Sequence, residues 1–372
     1  MMRNRGRWDD CVQHWGDAAI AFVQDFFTDA DRKVILVCGG GFDPRSRIVA
    51  DHVADACAKD THCVILREDV PLTDDTLVKR ADDNTNAIQA RFDNHQVERI
   101  NMVSGDQAVT GGRTAVQRVQ KHLESGTTDL IVDFSAMSIG VAFPLVRLLL
   151  EYAEQKPGGQ TVNLHLFAID EPLTDGAITS IASDRATPVH GFGGQLGLDA
   201  SRGAAKLWLP QLGLGESVPE VLGRVYNWLE PDAVCPVIPF APSRPRLGDD
   251  LIWAFRDEFE STWQVDSRDI VYAHDSYPLD LYRTILRIDD IRQQVFRDVG
   301  GSMTILSPFG RKMLAIGAML AAIDRDFPVV RSEAVGYRMD QDKIDDAEQV
   351  RMVHLWLHGE AYPQDNSKEA DQ

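Results

Sequence analysis

Lys33–Arg47 reads KVILVCGGGFDPRSR, and this stretch decides the fold. After Lys33 the run to Cys38 is apolar at every position rather than at every second one. Such a strand has no wet face, which is the signature of a central strand in a parallel sheet covered on both sides. Three glycines end it, where backbone without β-carbons turns tightly. Asp43 then stands as a helix cap and Pro44 as a first helical residue. The reading is strand, turn, helix.

The same rhythm extends outward. Strand-like runs recur at His62–Leu66, Val97–Val103, Asp129–Phe134 and Val162–Ile169, with helical periodicity at Arg47–Lys59, Thr73–Asn94, Thr114–Glu124 and Gly140–Gln155. Strands alternating with helices predict a mostly parallel sheet wound by right-handed crossovers. Upstream, Trp8, Val12, Trp15, Ala19, Phe22, Val23 and Phe26 share one stripe, so Trp8–Phe27 is expected to be a helix with a broad apolar face. A glycine-rich stretch, His190–Ala204, reads as a linker or loop. Beyond it, strands are expected at Lys206–Leu209, Val234–Phe240, Asp269–His274 and Ser302–Leu306, with helices at Val218–Leu229, Gly248–Glu260, Leu279–Val299 and Arg311–Asp324. Two further strands, Ala334–Met339 and Arg351–His358, close the chain. The expected architecture is α/β: two doubly wound, mostly parallel Rossmann-like lobes, residues 1–195 and 196–362, with a cleft between them and a polar tail at 363–372.

The chain has 372 residues and a formal charge of −19. A field of that sign repels a phosphate backbone, so non-specific nucleic-acid binding is not expected. Five cysteines without C-x-x-C spacing point to reduced thiols and a cytoplasmic protein. No apolar run reaches the length of a bilayer span, and no secretory signal is read at the N-terminus.

Ligands of doubly wound sheets sit beyond the carboxyl ends of the strands. Three turns there carry chemistry. In the first, Gly39, Gly40 and Gly41 lead to Arg45 and Arg47 at a helix start, a pairing suited to phosphate. In the second, Asp133 and Ser135 end the strand Asp129–Phe134, with Ser138 three residues on. The third is Ser307-Pro308-Phe309-Gly310-Arg311-Lys312, where two cations again open a helix against its dipole. Asp43, Asp133 and Asp275 are the candidate catalytic carboxylates. Asp43, Asp133, Asp170 and Glu171 together offer a place for Mg²⁺ should the site be catalytic. Exposed acidic loop ends are the plainer reading of that cluster. His354 and His358, on one face of a strand, stand about 13 Å apart at about 3.3 Å per residue, too far for one metal. Gly191–Gly197 spells G-x-G-x-x-G without a preceding strand and is read as loop.

The GGGFDP turn resembles the GGxFDP segment of adenylyl- and cytidylyltransferase-type nucleotidyltransferases. There the turn continues into paired histidines that contact the triphosphate. Ser46-Arg47-Ile48-Val49 stands in their place here, so the resemblance implies a shared turn rather than a shared reaction. The triplet GFDPR, DFSAMS and SPFGRK is also similar to a pattern in bacterial proteins of unassigned function, and it implies no catalytic residue.

The expected function is binding of a nucleotide or other phosphorylated small molecule between the lobes, with hydrolysis or group transfer as a further step. The alternative is a non-catalytic sensor or an accessory subunit of a bacterial multi-protein, defence-type system. Its motive is the aromatic N-terminal helix, a face for a protein partner or a second copy.

Overall fold

The computed structural model describes residues 5–104, 109–155, 159–196, 203–215, 217–240, 244–340 and 350–362. The polar tail and most of the second half of the glycine-rich stretch lie outside these residues.

The protein is α/β, with mostly parallel sheets wound by helices on both faces. The chain runs through β1 (Val12–Trp15), α1 (Asp17–Phe26), β2 (Val34–Gly39), α2 (Ile48–Cys57), β3 (Thr61–Asp69), β4 (Leu72–Thr73), α3 (Asp75–Gln89) and β5 (His95–Asn101). It continues with α4 (Gly111–Val119), β6 (Asp129–Asp133), α5 (Ile139–Glu154) and β7 (Asn163–Asp170). The first sheet has the order β1-β15-β7-β6-β2-β3-β5, where β15 is Arg351–His358. From β7 to β5 all neighbours are parallel. The winding therefore reverses between β2 and β6, which makes the loops after these two strands the switch point.

Each face of β2 builds a different core. Val34, Leu36 and Cys38 meet α1 and α2 through Ala19, Val23, Val49 and Val53. Ile35 and Val37 meet Ala115 of α4 and Val141, Leu145 and Leu149 of α5. That second core runs on without a break into the other lobe. This is why the run after Lys33 contains no polar residue.

α6 (Pro172–Ala177) and β8 (Ile178–Pro188) come next, and the second lobe follows with β9 (Ala205–Pro210), α7 (Val218–Leu229), β10 (Ala233–Val234), β11 (Val237–Phe240), α8 (Leu247–Ala254), β12 (Val271–His274), α9 (Pro278–Val295), β13 (Ser302–Ser307), α10 (Lys312–Arg325) and β14 (Val330–Met339). β9 pairs in parallel with β10 and β13, and β11 with β12. A parallel bridge from Gln211 to Val237 joins the two groups. Helix α10 is buried from Met313 to Ala322 on every side, as a helix apolar all round must be, because it packs against α9 of its own lobe and α5 of the other. Antiparallel β8 and β14, with β4 beside β14, form a third small sheet across the cleft.

Three expectations change. Trp8–Phe27 is not one helix: Gly16, at φ 55°, breaks it, and Val12–Trp15 instead pairs antiparallel with β15. The aromatic face thought to await a partner packs within the chain. Trp8 is buried with its indole donating to the Leu357 carbonyl at 2.9 Å, and Phe26 stacks edge-on to Trp356. Finally, Arg351–His358 pairs antiparallel with β7, so a strand expected in the second lobe completes the first. All five cysteines are unpaired. Among the described residues no helix is long and apolar enough to cross a membrane.

Candidate functional site

The carboxyl ends of the strands in both lobes open onto one cavity of about 320 Å³. Its walls come from Gly41–Asp43 after β2, Leu66–Asp69 at the end of β3, Phe134 and Ala136–Ile139 after β6, and Asp175 of α6. The other lobe supplies Gly213 and Leu214 after β9, Pro308–Gly310 after β13, Lys312, and Arg331 and Tyr337 of β14. The two glycine turns singled out in the sequence thus meet across one hollow.

Their arginines are already engaged. Arg45 donates to both oxygens of Asp43, at 2.9 and 2.7 Å, and to Asp175 at 2.6 Å. Arg311 donates to Asp175 at 3.1 Å and to Asp170 at 2.7 Å, and its Nε lies 3.7 Å from Asp275. Arg351 donates to the second oxygen of Asp170 at 2.7 Å. Burial would raise the Asp43 pKa, but the charge and hydrogen bonds of Arg45 outweigh it and hold the carboxyl below its usual range. Planar guanidinium forks suit this chain of bidentate contacts, which ties β2, α6, β7 and α10 together. Of the carboxylates proposed for Mg²⁺, Asp43 and Asp170 are therefore interleaved with guanidinium groups. Among the described residues no group of three His, Cys, Asp or Glu side chains is placed to hold a metal.

Two other cations have no carboxylate partner at ion-pair distance among the described residues. Arg331 is 8% exposed and makes no hydrogen bond or ion pair among the described residues; its Nε and Nη1 are buried without a partner. Its guanidinium lies 5.9 Å from the Phe309 ring. Lys312 reaches only the carbonyls of Phe134 and Met137, at 3.5 and 3.3 Å. Burial, with the nearby Arg45 charge, lowers the Lys312 pKa against the pull of Asp43, Asp175 and Glu68.

Two carboxylates sit over the first turn of α5, Glu68 on the cleft wall and Glu333 two residues along β14 from Arg331. Glu68 accepts from the Ser138 amide at 2.9 Å, and a β-carbon on Gly140 would collide with the Glu333 carboxylate. Helix dipoles favour that placement. Burial nevertheless raises the Glu68 pKa, against the Ser138 hydrogen bonds and with help from Glu333. Phe42 and Tyr337 close one end, ring centroids 5.2 Å apart.

Of the residues read from sequence, Gly41, Asp43, Arg45, Gly310 and Lys312 reach the cavity wall. Gly39 and Gly40 instead allow close packing: a β-carbon would meet Ala136 at 3.0 Å in one case and Thr85 at 2.6 Å in the other. Ser135 bridges the Asp133 carboxylate to the Ile169 amide, and Ser307 bridges the Trp208 indole to the Val330 carbonyl. Both are structural. Arg47 is exposed and pairs with Asp51 at 3.7 Å, outside the cavity. Asp275 holds Arg311 and accepts from Ser276 at 3.0 Å.

Asp133 lies beneath the wall rather than on it. One oxygen accepts from the amide and hydroxyl of Ser135; the other is buried without a partner. Desolvation, opposed by those bonds, raises its pKa from 3.8 to about 6. Ionisation of this carboxyl therefore costs more in the folded protein than in the unfolded chain. Asp133→Asn keeps an acceptor for Ser135 and removes the buried charge, so it is expected to stabilise the protein by about 1–3 kcal/mol at pH 8. Because only the wild-type side chain titrates, the gain should shrink as pH falls below 6. Urea unfolding at pH 8 and pH 5 checks both statements; a destabilised variant at pH 8 would contradict them.

Glu68, Arg331, Glu333 and Tyr337 were not read from sequence as site residues. The available signal was Arg331-Ser332-Glu333 inside the otherwise apolar run Val329–Val335, where both charges share the inward face of a strand.

Comparison with known proteins gives no family: no family and no curated protein matches the chain. Among solved structures it is similar to the NH3-dependent NAD synthetase from Campylobacter jejuni, at 11% identity and TM-score 0.21, over 40% of this chain and 52% of that one. It is similar to the cytoplasmic domain of a prokaryotic cation chloride cotransporter at 9% identity and TM-score 0.25, over 83% and 95% of the two chains. A human methyltransferase 10 domain containing protein follows at 12% identity and TM-score 0.20, over 50% and 78%. The match spans about half the length of the synthetase. Scores this low carry no functional argument.

Proposed function

We propose that the interlobe cleft binds a nucleotide or another phosphorylated small molecule. One observation carries the reading: the Arg331 guanidinium is buried on the cavity wall without a hydrogen bond or counter-ion among the described residues. A buried, uncompensated cation costs several kcal/mol, and a bound anion removes that cost. Lys312, also without a carboxylate partner, gives the anion a second contact, and Phe42, Phe309 and Tyr337 offer aromatic surface to a base or sugar. A local cationic pocket inside a chain of net charge −19 admits a small anion while the outer field repels a nucleic-acid strand. Hydrolysis or group transfer would need a proton donor or acceptor on the wall, and Glu68, with its raised pKa, is placed for it.

The test is isothermal titration with inorganic phosphate, AMP, ADP, ATP and a sugar phosphate. Lys312→Ala and Arg331→Met should each weaken binding about 10- to 100-fold, the value of a charge-assisted hydrogen bond. Arg331→Met should at the same time melt no lower than wild type, since it deletes an uncompensated charge. Arg47→Ala should change neither. Wild-type protein that binds none of these ligands would end the proposal.

A further inference from the structure

Arg331 also belongs to the wall of a second hollow, of about 870 Å³, on the far side of Ala182 in β8. The N-terminus of α4 opens into it. The N-cap residue there, Thr110, turns its hydroxyl to the Asn101 carbonyl at 3.2 Å and leaves the helix without a side-chain cap. No acidic residue stands in the first turn of α4, which instead carries Arg113, without an ion pair or hydrogen bond among the described residues. A cation in that position opposes the helix dipole. His190 lines the same wall, where burial and the Arg113 charge lower its pKa. Glu333 and Asp184 also line this hollow, with Glu333 held over the start of α5; at the start of α4 the Gly111 amide donates to the Met102 carbonyl at 3.2 Å, so the free positive end there is Arg113 with the amides that follow Gly111. Arg331 supplies the independent sign of a ligand: a side chain more than nine-tenths buried, unpartnered, and part of both walls.

We infer that the second hollow is an anion subsite, and that the molecule taken by the cleft carries two separated anionic groups bracketing Arg331, as a dinucleotide does. This rests on the reading of the cleft as a phosphate site. The geometry favours such a ligand because a guanidinium presents donors along more than one edge, and a single phosphate on one side leaves the other edge unsatisfied.

The experiment is titration of the full chain with AMP and with the linear dinucleotide pApA. Wild type should bind pApA at least about tenfold more tightly than AMP. Arg113→Ala should remove that advantage while AMP, which reaches only the cleft, binds as before; Arg113→Lys should restore part of it. Arg331→Met should weaken both ligands. Arg113 is exposed, so its variants should melt with wild type. AMP binding without any gain for pApA, or an Arg113→Ala variant that leaves the gain intact, would overturn the subsite and leave the cleft reading standing. Wild type silent toward both ligands would overturn the cleft reading and this inference together.

Discussion

Arg311→Ala and Arg45→Ala are each expected to destabilise the protein by about 3–5 kcal/mol, while Arg47→Ala stays within about 0.5 kcal/mol of wild type. All three residues open helices after glycine turns, and from sequence they look alike. They differ in what lies beneath them. Removing Arg45 leaves Asp43, 6% exposed, without its bidentate partner, and half-strips Asp175. Removing Arg311 takes partners from Asp170, Asp175 and Asp275 at once. Buried carboxylates abandoned in this way keep their desolvation penalty and lose its compensation. Arg47 pairs with Asp51 in solvent, where an ion pair contributes little. Because Arg45 and Arg311 share Asp175, the two losses should also fail to add in the double variant. Equilibrium urea unfolding measures all four proteins. An Arg311→Ala variant as stable as Arg47→Ala would show that the network does not hold the lobes.

Acid should destabilise the protein steeply, starting near pH 6.5. Across the strands β1, β15, β7 and β6 runs a line of hydrogen bonds: His14 Nδ1 to His354 Nδ1 at 2.9 Å, His354 Nε2 to His165 Nδ1 at 3.0 Å, and His165 Nε2 to Asp129 at 3.3 Å. Arg32 holds Asp129 at 3.2 Å. The carboxylate sets the direction. It accepts from His165, whose other nitrogen must then accept from His354, which accepts from His14. Three neutral rings satisfy every bond, and it is burial that disfavours an added proton on either inner ring.

Burial lowers the pKa of His165 despite the opposing pull of Asp129, and burial, with the neighbouring rings, lowers His354 well below 6.5. The sign follows from counting protons. Below pH 6.5 the unfolded chain binds protons that these folded imidazoles refuse, so their contribution is complete above 6.5 and is lost as pH falls toward the folded pKa values. Two such groups give a slope of about 2.7 kcal/mol per pH unit. Asp133 acts in the opposite sense: with a folded pKa of about 6, it returns about 1.4 kcal/mol per unit between there and 3.8. Glu68, also raised, adds to that return. The net effect between pH 6.5 and 5.5 is a loss, and Asp133→Asn should make it steeper. Urea midpoints at pH 7.5, 6.5 and 5.5 decide the matter. Stability that is flat or rising over this range would mean that the histidine line is not held neutral.

The inner strands were legible because burial on both faces leaves only apolar residues, as in Val34–Cys38 and in the stretch around Ile131. Strand β8 was not. Its sequence ITSIASDRATP is half-exposed, and its pairing with β14 shifts register twice, so no period of two survives. The misread N-terminus has a similar cause: Trp8, Val12 and Trp15 fall at helical spacing, and the glycine that separates strand from helix is a single residue. In the site, sequence placed the glycine turns and their cations on the correct edge of the sheet. It could not reveal that Asp175, 130 residues from Arg45, neutralises that arginine. Nor could it distinguish Arg45, with its acids, from Arg331, which has none, because pairing over such separations is a property of the tertiary fold.

The place of β15 also bears on how the chain assembles during synthesis. Strand β7 keeps one edge bare until Arg351–His358 arrives, after every element of the other lobe has been made. Domains ordinarily fold in the order in which they are synthesised. Here the earlier half must wait for the later one, and its bare edge is a template for wrong pairing in the interval. Truncations ahead of Arg351 should therefore aggregate rather than yield a smaller, working lobe.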